Sequence, residues 1–401
     1  MVGDIEVAED LAQDALVIAL ERWPESGIPD KPGAWLMATA KHRAIDRIRR
    51  NIALERKYET LGRHLELQSR ASEVDFDAAL DDDIGDDLLR LIFTACHPVL
   101  ATEARVALTL RLLGGLTTAE IAHAFLTSEV TVAQRIVRAK RSLTEARVPF
   151  EVPHGADRTA RLSSVLEVIY LIFNEGYAAT AGDEWARPAL CEDALRLGRI
   201  LAELVPGEAE VHGLVALMEI QASRIRARVG PSGELVLLLD QDRLRWDQLL
   251  IRRGLAALAR AENLGGVLGP YCLQAAIAAC HARAHTPQET DWVRISALYD
   301  ALAQLLPTPV VELNRAVALA MAYGPQAGLE IVDSLALEPL LEQYHLLPSV
   351  RGELLARLGR FAEARAEFEH AAELTLNRRE HDLLLERART VGNEQAAASL
   401  R

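Results

Sequence analysis

The chain has 401 residues, enough for two or three domains with a core each; half of them are hydrophobic but only 5% aromatic. Alanine and leucine make up the excess, a composition of helices packed on helices, so the expected fold class is all-α. A formal net charge of -14 would repel a polyanion if spread evenly, which leaves nucleic-acid binding to local basic surfaces.

Residues 4–22 read as one helix, with Ile5, Ala8, Ala12, Ala15 and Ala19 along its buried side and Glu9, Asp10, Gln13 and Asp14 outward. The opening MVGDIEVAED has neither the basic start nor the apolar run of a signal peptide. Pro24 is expected to stop the helix, and Gly27 to Gly33 is a turn-rich connection. A second helix from about Gly33 to Asn51 carries AWLMATAKHRAIDRIRR. Between Lys41 and Lys57, the cations Lys41, Arg43, Arg47, Arg49, Arg50, Arg56 and Lys57 face only Asp46 and Glu55. An aromatic side chain such as Trp35 beside a basic helix suits melting DNA, where bases stack while arginines hold phosphates, although its apolar neighbours fit a core position equally.

Residues 58–87 turn acidic, with Asp75, Asp77, Asp81, Asp82, Asp83, Asp86 and Asp87, and read as an extended linker. A helix follows from Leu88, ended by His97 before Pro98 as a capping or buried histidine; another spans Thr102 to Leu112 and is closed by Gly114 and Gly115. Then comes LTTAEIAHAFLTSEVTVAQRIVRAKRSL, residues 116–143. Thr117 and Glu120 have capping-box spacing, so a short helix starts there and buries Ile121, Ala122 and Phe125. After a turn through Ser128, a second helix opens near Glu129 with Val132, Ile136, Ala139 and Leu143 as its inward stripe. Thr131, Gln134, Arg135 and Arg138 lie on the other face, and Arg135, Arg138, Lys140 and Arg141 meet no acidic residue before Glu145. Two short helices joined by a tight turn, the second basic outward, read as a helix-turn-helix suited to the DNA major groove, with an ordinary helix hairpin that solvates its basic face as the alternative.

Beyond Pro149 and Pro153 no comparable basic island appears, and helical patterns alternate with Gly/Pro punctuation. LGRFAEARAEFEHAAEL matches the second helix of a tetratricopeptide unit, with Gly359, Phe361, Ala364, Phe368 and Ala371 in the signature places. A weaker echo surrounds Gly324, and the 35 residues from 324 to 359 are close to a period of about 34. Such a stack leaves a concave groove for a protein or peptide ligand. Cys280, His281, His285 and Asp291 have spacing that could hold a metal, but an exposed helix face explains them as well. The crowding of Asp240, Asp242, Arg243, Arg245, Trp246 and Asp247 fits buried Asp-Arg pairs that fix helix register. Four widely spaced cysteines, Cys96, Cys191, Cys272 and Cys280, read as reduced core thiols of a cytoplasmic protein. With no membrane span, phosphate loop or nucleophile motif, no cofactor, metal or catalytic residue is expected.

The acidic EDLAQDA helix, the basic AWLMATAKHRAIDRIRR helix and the later helix-turn-helix together resemble bacterial RNA polymerase sigma factors of the extracytoplasmic-function type. The resemblance implies that Asp10, Gln13 and Asp14 bind core RNA polymerase. It implies that Trp35, Lys41, His42, Arg43, Asp46, Arg49 and Arg50 serve the -10 element of promoter DNA, with His42 standing where the family pattern has Asn. Ser128, Glu129, Thr131, Gln134, Arg135, Arg138 and Lys140 would then serve the -35 element. The implied domains are sigma region 2 at 1–57, the linker at 58–87, sigma region 4 at 88–150 and a tetratricopeptide-like domain at 155–401 that modulates activation, as in the ECF42 type. The chain begins where a first region 2 helix should end, so either the start lies about 20 to 30 codons upstream in frame, the favoured expectation, or this copy lacks part of its core-binding domain. The rival reading is a helix-turn-helix regulator or scaffold with a helical sensor domain that never joins the polymerase.

Overall fold

The computed structural model describes residues 5–29, 32, 33, 35, 36, 39, 40, 43 and 88–399, the last span without 115, 126, 179–185, 231–233 and 267. All regular structure among them is helical, apart from one antiparallel bridge between Val229 and Leu235. None of these helices is long and apolar enough to cross a membrane. The chain divides into two units, residues 1–115 with 130–165, and residues 116–129 with 166–401.

In the first unit, α1 (Ile5–Ser26) buries Leu11, Ala15 and Ala19, whereas Ala12, assigned to that side from the sequence, is exposed. Leu11, Ala15 and Ala19 repeat every fourth residue and form a narrow stripe, which leaves Ala12 on the flank. The helix also outlasts Pro24 by two residues, and Gly27, at φ +81°, closes it by donating its N–H to the Trp23 carbonyl at 3.0 Å. Helix α2 (88–95) buries Ile92 and Phe93, with Cys96 buried just past it; His97 is half-buried, and its Nδ1 accepts the N–H of Val99 in the turn that follows rather than capping the helix. Helix α3 (Thr102–Thr109) widens into a π turn over Leu110–Gly114.

The opening turns of α6 (Gly155–Tyr177) also belong to this unit. Ser164 donates to the Cys96 carbonyl at 2.6 Å and accepts from Arg105, whose other guanidinium nitrogen reaches Thr102. Arg161 donates to the Phe93 carbonyl at 3.1 Å and lies over the Phe93 ring.

The second unit contains α4 (Thr118–Ala124) and, after α5 (Glu129–Glu145) and α6, a succession of helices. Helices α7 (Pro188–Leu204), α8 (Ala209–Ala222), α9 (Gln248–Asn263) and α10 (Pro270–Arg283) centre on α8, which is buried on almost every side. Ala216, Leu217 and Ile220 of α8 share a core with Leu258 of α9 and Ala275, Ala278 and Ala279 of α10. Small residues permit this closeness: a Cβ on Gly213 would sit 2.6 Å from the Cys272 sulfur. Helix α11 (Trp292–Leu305) precedes two helix pairs, α12 (Pro309–Tyr323) with α13 (Pro325–Leu335) and α14 (Leu346–Arg357) with α15 (Phe361–Leu374). The turns between partners pass through Gly324 at φ +106° and Gly359 at φ +77°. Phe368, Ala364 and Ala371 are buried in one core with Leu313, Leu329, Leu354 and residues of α16 (Arg378–Ser399). The four cysteines are buried free thiols, and burial pushes that of Cys191 up to about 12.

Candidate nucleic-acid interface

Helix α4 starts on the capping box read from the sequence. The Thr117 N–H and hydroxyl reach Glu120 Oε2 at 2.7 and 2.8 Å, and the Glu120 N–H returns to the Thr117 hydroxyl at 3.2 Å. These bonds hold the Glu120 carboxyl below the ordinary glutamate range. Ile121 and Ala122 are buried and Phe125 is half-buried. The Thr127 N–H donates to the Ala122 carbonyl at 3.0 Å, ending the helix. The Thr118 hydroxyl donates to Glu129, the first residue of α5, at 2.9 Å, which ties the start of one helix to the start of the next.

On α5 the buried side chains are Val132, Ile136, Ala139 and Leu143, the four foreseen from their spacing. Opposite them, Gln134 and Arg138 are exposed, while Thr131, Arg135 and Lys140 are half-buried along the flank; Ser128 and Glu129 are exposed at the start. Arg135 and Arg138 have no ion-pair partner among the described residues. Arg141 reaches one turn on to Glu145, the first acidic residue after the cluster, at 2.6 Å, which offsets part of its charge. Sequence reasoning passed over Val130 and Val137, exposed by 65% and 58% on this face. Their signal was β-branched apolar residues off the buried stripe, and a valine methyl is what a thymine methyl can pack against.

On α1, Gln13 and Asp14 are exposed, and the side chain of Asp10 lies outside what is described. Leu16, Val17 and Leu20 stand exposed by 51%, 53% and 77% beside them, an apolar strip that the alanine-rich buried side drew attention away from. Trp35 is half-buried with its ring 5.5 Å from that of Trp23, and the Thr39 hydroxyl donates to its carbonyl at 2.8 Å, one helical turn back. Arg43 is exposed. Lys41, His42, Asp46, Arg49 and Arg50, together with the linker 58–87, lie outside the described residues.

In the second unit, the non-helical strap 235–240 forms one wall of a cavity of about 770 Å³. Trp292 and the inner faces of α12, α14 and α16 form the other, with Arg357 and Arg387 both on Glu353. The metal-like spacing does not gather ligands. His281 is 93% buried rather than on an exposed face, α10 ends at Arg283 before His285, and Asp291 caps α11 through the Arg294 N–H. Among the described residues no three His, Cys, Asp or Glu side chains could hold a metal. Nor do the aspartates near Trp246 pair with arginines. Asp242 and Asp247 cap helical turns, and Arg243 donates to the carbonyls of His281 and Ala284 and to the Thr290 hydroxyl.

Family comparison matches residues 1–52 to sigma-70 region 2 and residues 90–143 to sigma-70 region 4. Residues 161–262 match a family of unknown function (DUF6596). An uncharacterized protein of Rhizobium meliloti (strain 1021) is 43% identical over 374 residues, covering 93% of this chain and 87% of its own length. Region 2 and region 4 thus stand in order on one polypeptide, joined to a helical C-terminal part shared with a relative along nearly its whole length. These two sigma-70 domains on one chain support a sigma-70 family factor with a sigma-factor-like role in transcription initiation, which implies core RNA polymerase and promoter DNA as its partners.

Proposed function

We propose that this chain is an alternative sigma factor of the extracytoplasmic-function type, related to the ECF42 group, whose tetratricopeptide-like domain modulates initiation. The observation that carries the reading is the two-sided α5: an apolar stripe buried on one side, and Gln134 and unpaired Arg138 exposed on the other. In this role α5 enters the major groove at the -35 element. Arg138 and Arg135 contact guanine edges or phosphates, Thr131, Gln134 and Lys140 flank them, and Val130 meets a thymine methyl. The exposed start of the helix at Ser128 and Glu129 turns backbone N–H groups toward a phosphate. Region 2 serves the -10 element through Trp35, Lys41, His42, Arg43, Asp46, Arg49 and Arg50, and core polymerase docks on Asp10, Gln13 and Asp14 with Leu16 and Leu20 beside them. The cavity under the strap takes a protein or peptide ligand that adjusts output, and the protein works in the cytoplasm.

Run-off transcription with purified core polymerase tests the assignment. The chain is expected to make core enzyme initiate at its own promoter without any other sigma factor. Initiation only when a complete holoenzyme is already present would instead identify a helix-turn-helix regulator.

A further inference from the structure

Away from the DNA-facing helix, the second unit holds two cations, Arg224 buried and Arg243 half-buried, that the preceding function does not use. Arg224 is only 8% exposed, and its Nε is buried with no hydrogen-bond partner among the described residues. It faces two rings, Tyr177 at 5.9 Å and Trp246 at 5.8 Å. Arg243 stands 5.0 Å from the same Trp246 ring. Its Nη atoms are engaged with the carbonyls of His281 and Ala284 and with Thr290, but its Nε is buried without a partner. The indole N–H of Trp246 and Nδ1 of His281 are buried and unpartnered as well, on residues 3% and 7% exposed.

Among the described residues, no carboxylate pairs directly with this charge. Asp242 and Asp247 are spent on helix caps, and Glu289 accepts the His285 N–H while attracting Arg243 only through space. Glu380, which attracts neighbouring Arg228, pairs with His345. Arg224 and Arg243 repel each other, and with burial they push the His281 imidazole down to about 3, so that ring is neutral. Buried charge without a counter-charge is costly, and buried donors are ordinarily satisfied. Ring faces soften a cation's isolation, but they leave its N–H groups unbonded.

We propose that Arg224 and Arg243, with the Trp246 indole N–H and the His281 ring nitrogen, bind the oxyanion group of a small molecule, a carboxylate or a phosphate. A guanidinium fork matches two oxygens of either group, and the aromatic rings of Tyr177 and Trp246 offer apolar cover to whatever carries it. The sigma factor would then carry an effector site in its C-terminal helical part, separate from any peptide in the cavity. Asp183 and Glu184 of this chain, which lie outside the described residues, are the competing source of the same chemistry.

Titration calorimetry and thermal denaturation of the full chain decide between them, with inorganic phosphate, sulfate, acetate and succinate at constant ionic strength. Wild type is compared with R224M, R224K and D183N/E184Q. Saturable stabilisation is expected from one oxyanion class, phosphate-like or carboxylate-like. R224M should weaken binding at least tenfold without lowering the melting temperature of the free protein, because methionine fills the space without the unpaired charge. R224K, which keeps charge but not the fork, guards against misfolding of R224M and should also bind at least tenfold more weakly. Absence of saturable binding by all four anions, or equal binding by wild type and both Arg224 variants, overturns the proposal. So does an anion response that appears only in D183N/E184Q, which would assign the counter-charge to the chain itself.

Discussion

Arg138 and Arg135 differ in a way that a helical wheel hides. Arg138 projects fully from α5, whereas Arg135 lies half-buried on its flank, and neither is tied down by a carboxylate. If Arg138 reads a guanine with both arms, Arg138→Ala should cost about 1–3 kcal/mol of binding and relax specificity at one base pair. A phosphate contact would instead weaken all sequences alike and reduce the salt dependence. Fluorescence anisotropy of holoenzyme on a set of single-base promoter variants separates the two outcomes. Arg141, its charge already offset in part by Glu145, should change binding less than Arg138 when replaced. His281 supports a second prediction. Its folded pKa of about 3 lies below the ordinary histidine value, so the unfolded chain binds the proton more readily between pH 6.5 and 3. Stability is therefore retained above pH 6.5 and lost on acidification, by up to about 1.4 kcal/mol per pH unit from this group. Denaturation at pH 7.5, 6.5 and 5.5 should show His281→Phe losing less stability than wild type over both steps, with the larger difference over the lower one.

At the scale of elements, much of the fold could be read from local patterns. The capping box at Thr117 and Glu120 and the inward stripe Val132, Ile136, Ala139, Leu143 are set by neighbours within a turn or two, so spacing alone locates them. The same holds for Gly324 and Gly359, whose left-handed conformations end one helix and start another. Gly359→Val should therefore destabilise the α14–α15 pair by about 1–3 kcal/mol by backbone strain alone, since open space surrounds the missing Cβ. Gly359→Asn, which tolerates such a φ, should cost less. Thermal melts of the two full-length variants check the order; equal losses would place the effect in packing instead. What local patterns hid was long-range. The Asp residues near Trp246 look like partners for Arg243, but the cheaper use of each carboxylate is the free N–H groups two or three residues ahead, and Arg243 finds its acceptors about forty residues away. His281 looked like a ligand because sequence shows spacing but not burial; α10 is enclosed around it, and Trp292 meets its ring edge at 5.1 Å.

At the scale of the whole molecule, the family boundary and the folded boundary do not coincide. The region 4 match ends at residue 143 and the next family match begins at 161, which suggests cutting the chain near Pro153 to isolate the DNA-binding part. The folded first unit, however, runs to Val165, and its last turns are structural. Ser164, 6% exposed, bridges the Cys96 carbonyl and Arg105, and Arg161 bonds the Phe93 carbonyl across 68 residues of sequence. A chain ended after Pro153 would strip both groups from α2 and α3, leaving the buried Arg105 short of one acceptor. A chain ended after Ala178 keeps them, together with the rest of α6. The longer truncation should thus melt several degrees higher than the shorter one, by the loss of two or three buried hydrogen bonds of about 1 kcal/mol each and the apolar cover of α6. Ser164→Ala in the full chain is the control, since it removes the bridge without removing any segment, and it should weaken hydrogen-exchange protection in α2 and α3. Only against the longer truncation does a change in promoter output report what the remaining C-terminal helices do. A loss of transcription in the shorter one alone would mean a damaged region 4, whereas a loss in both would assign an activating role to residues beyond 178.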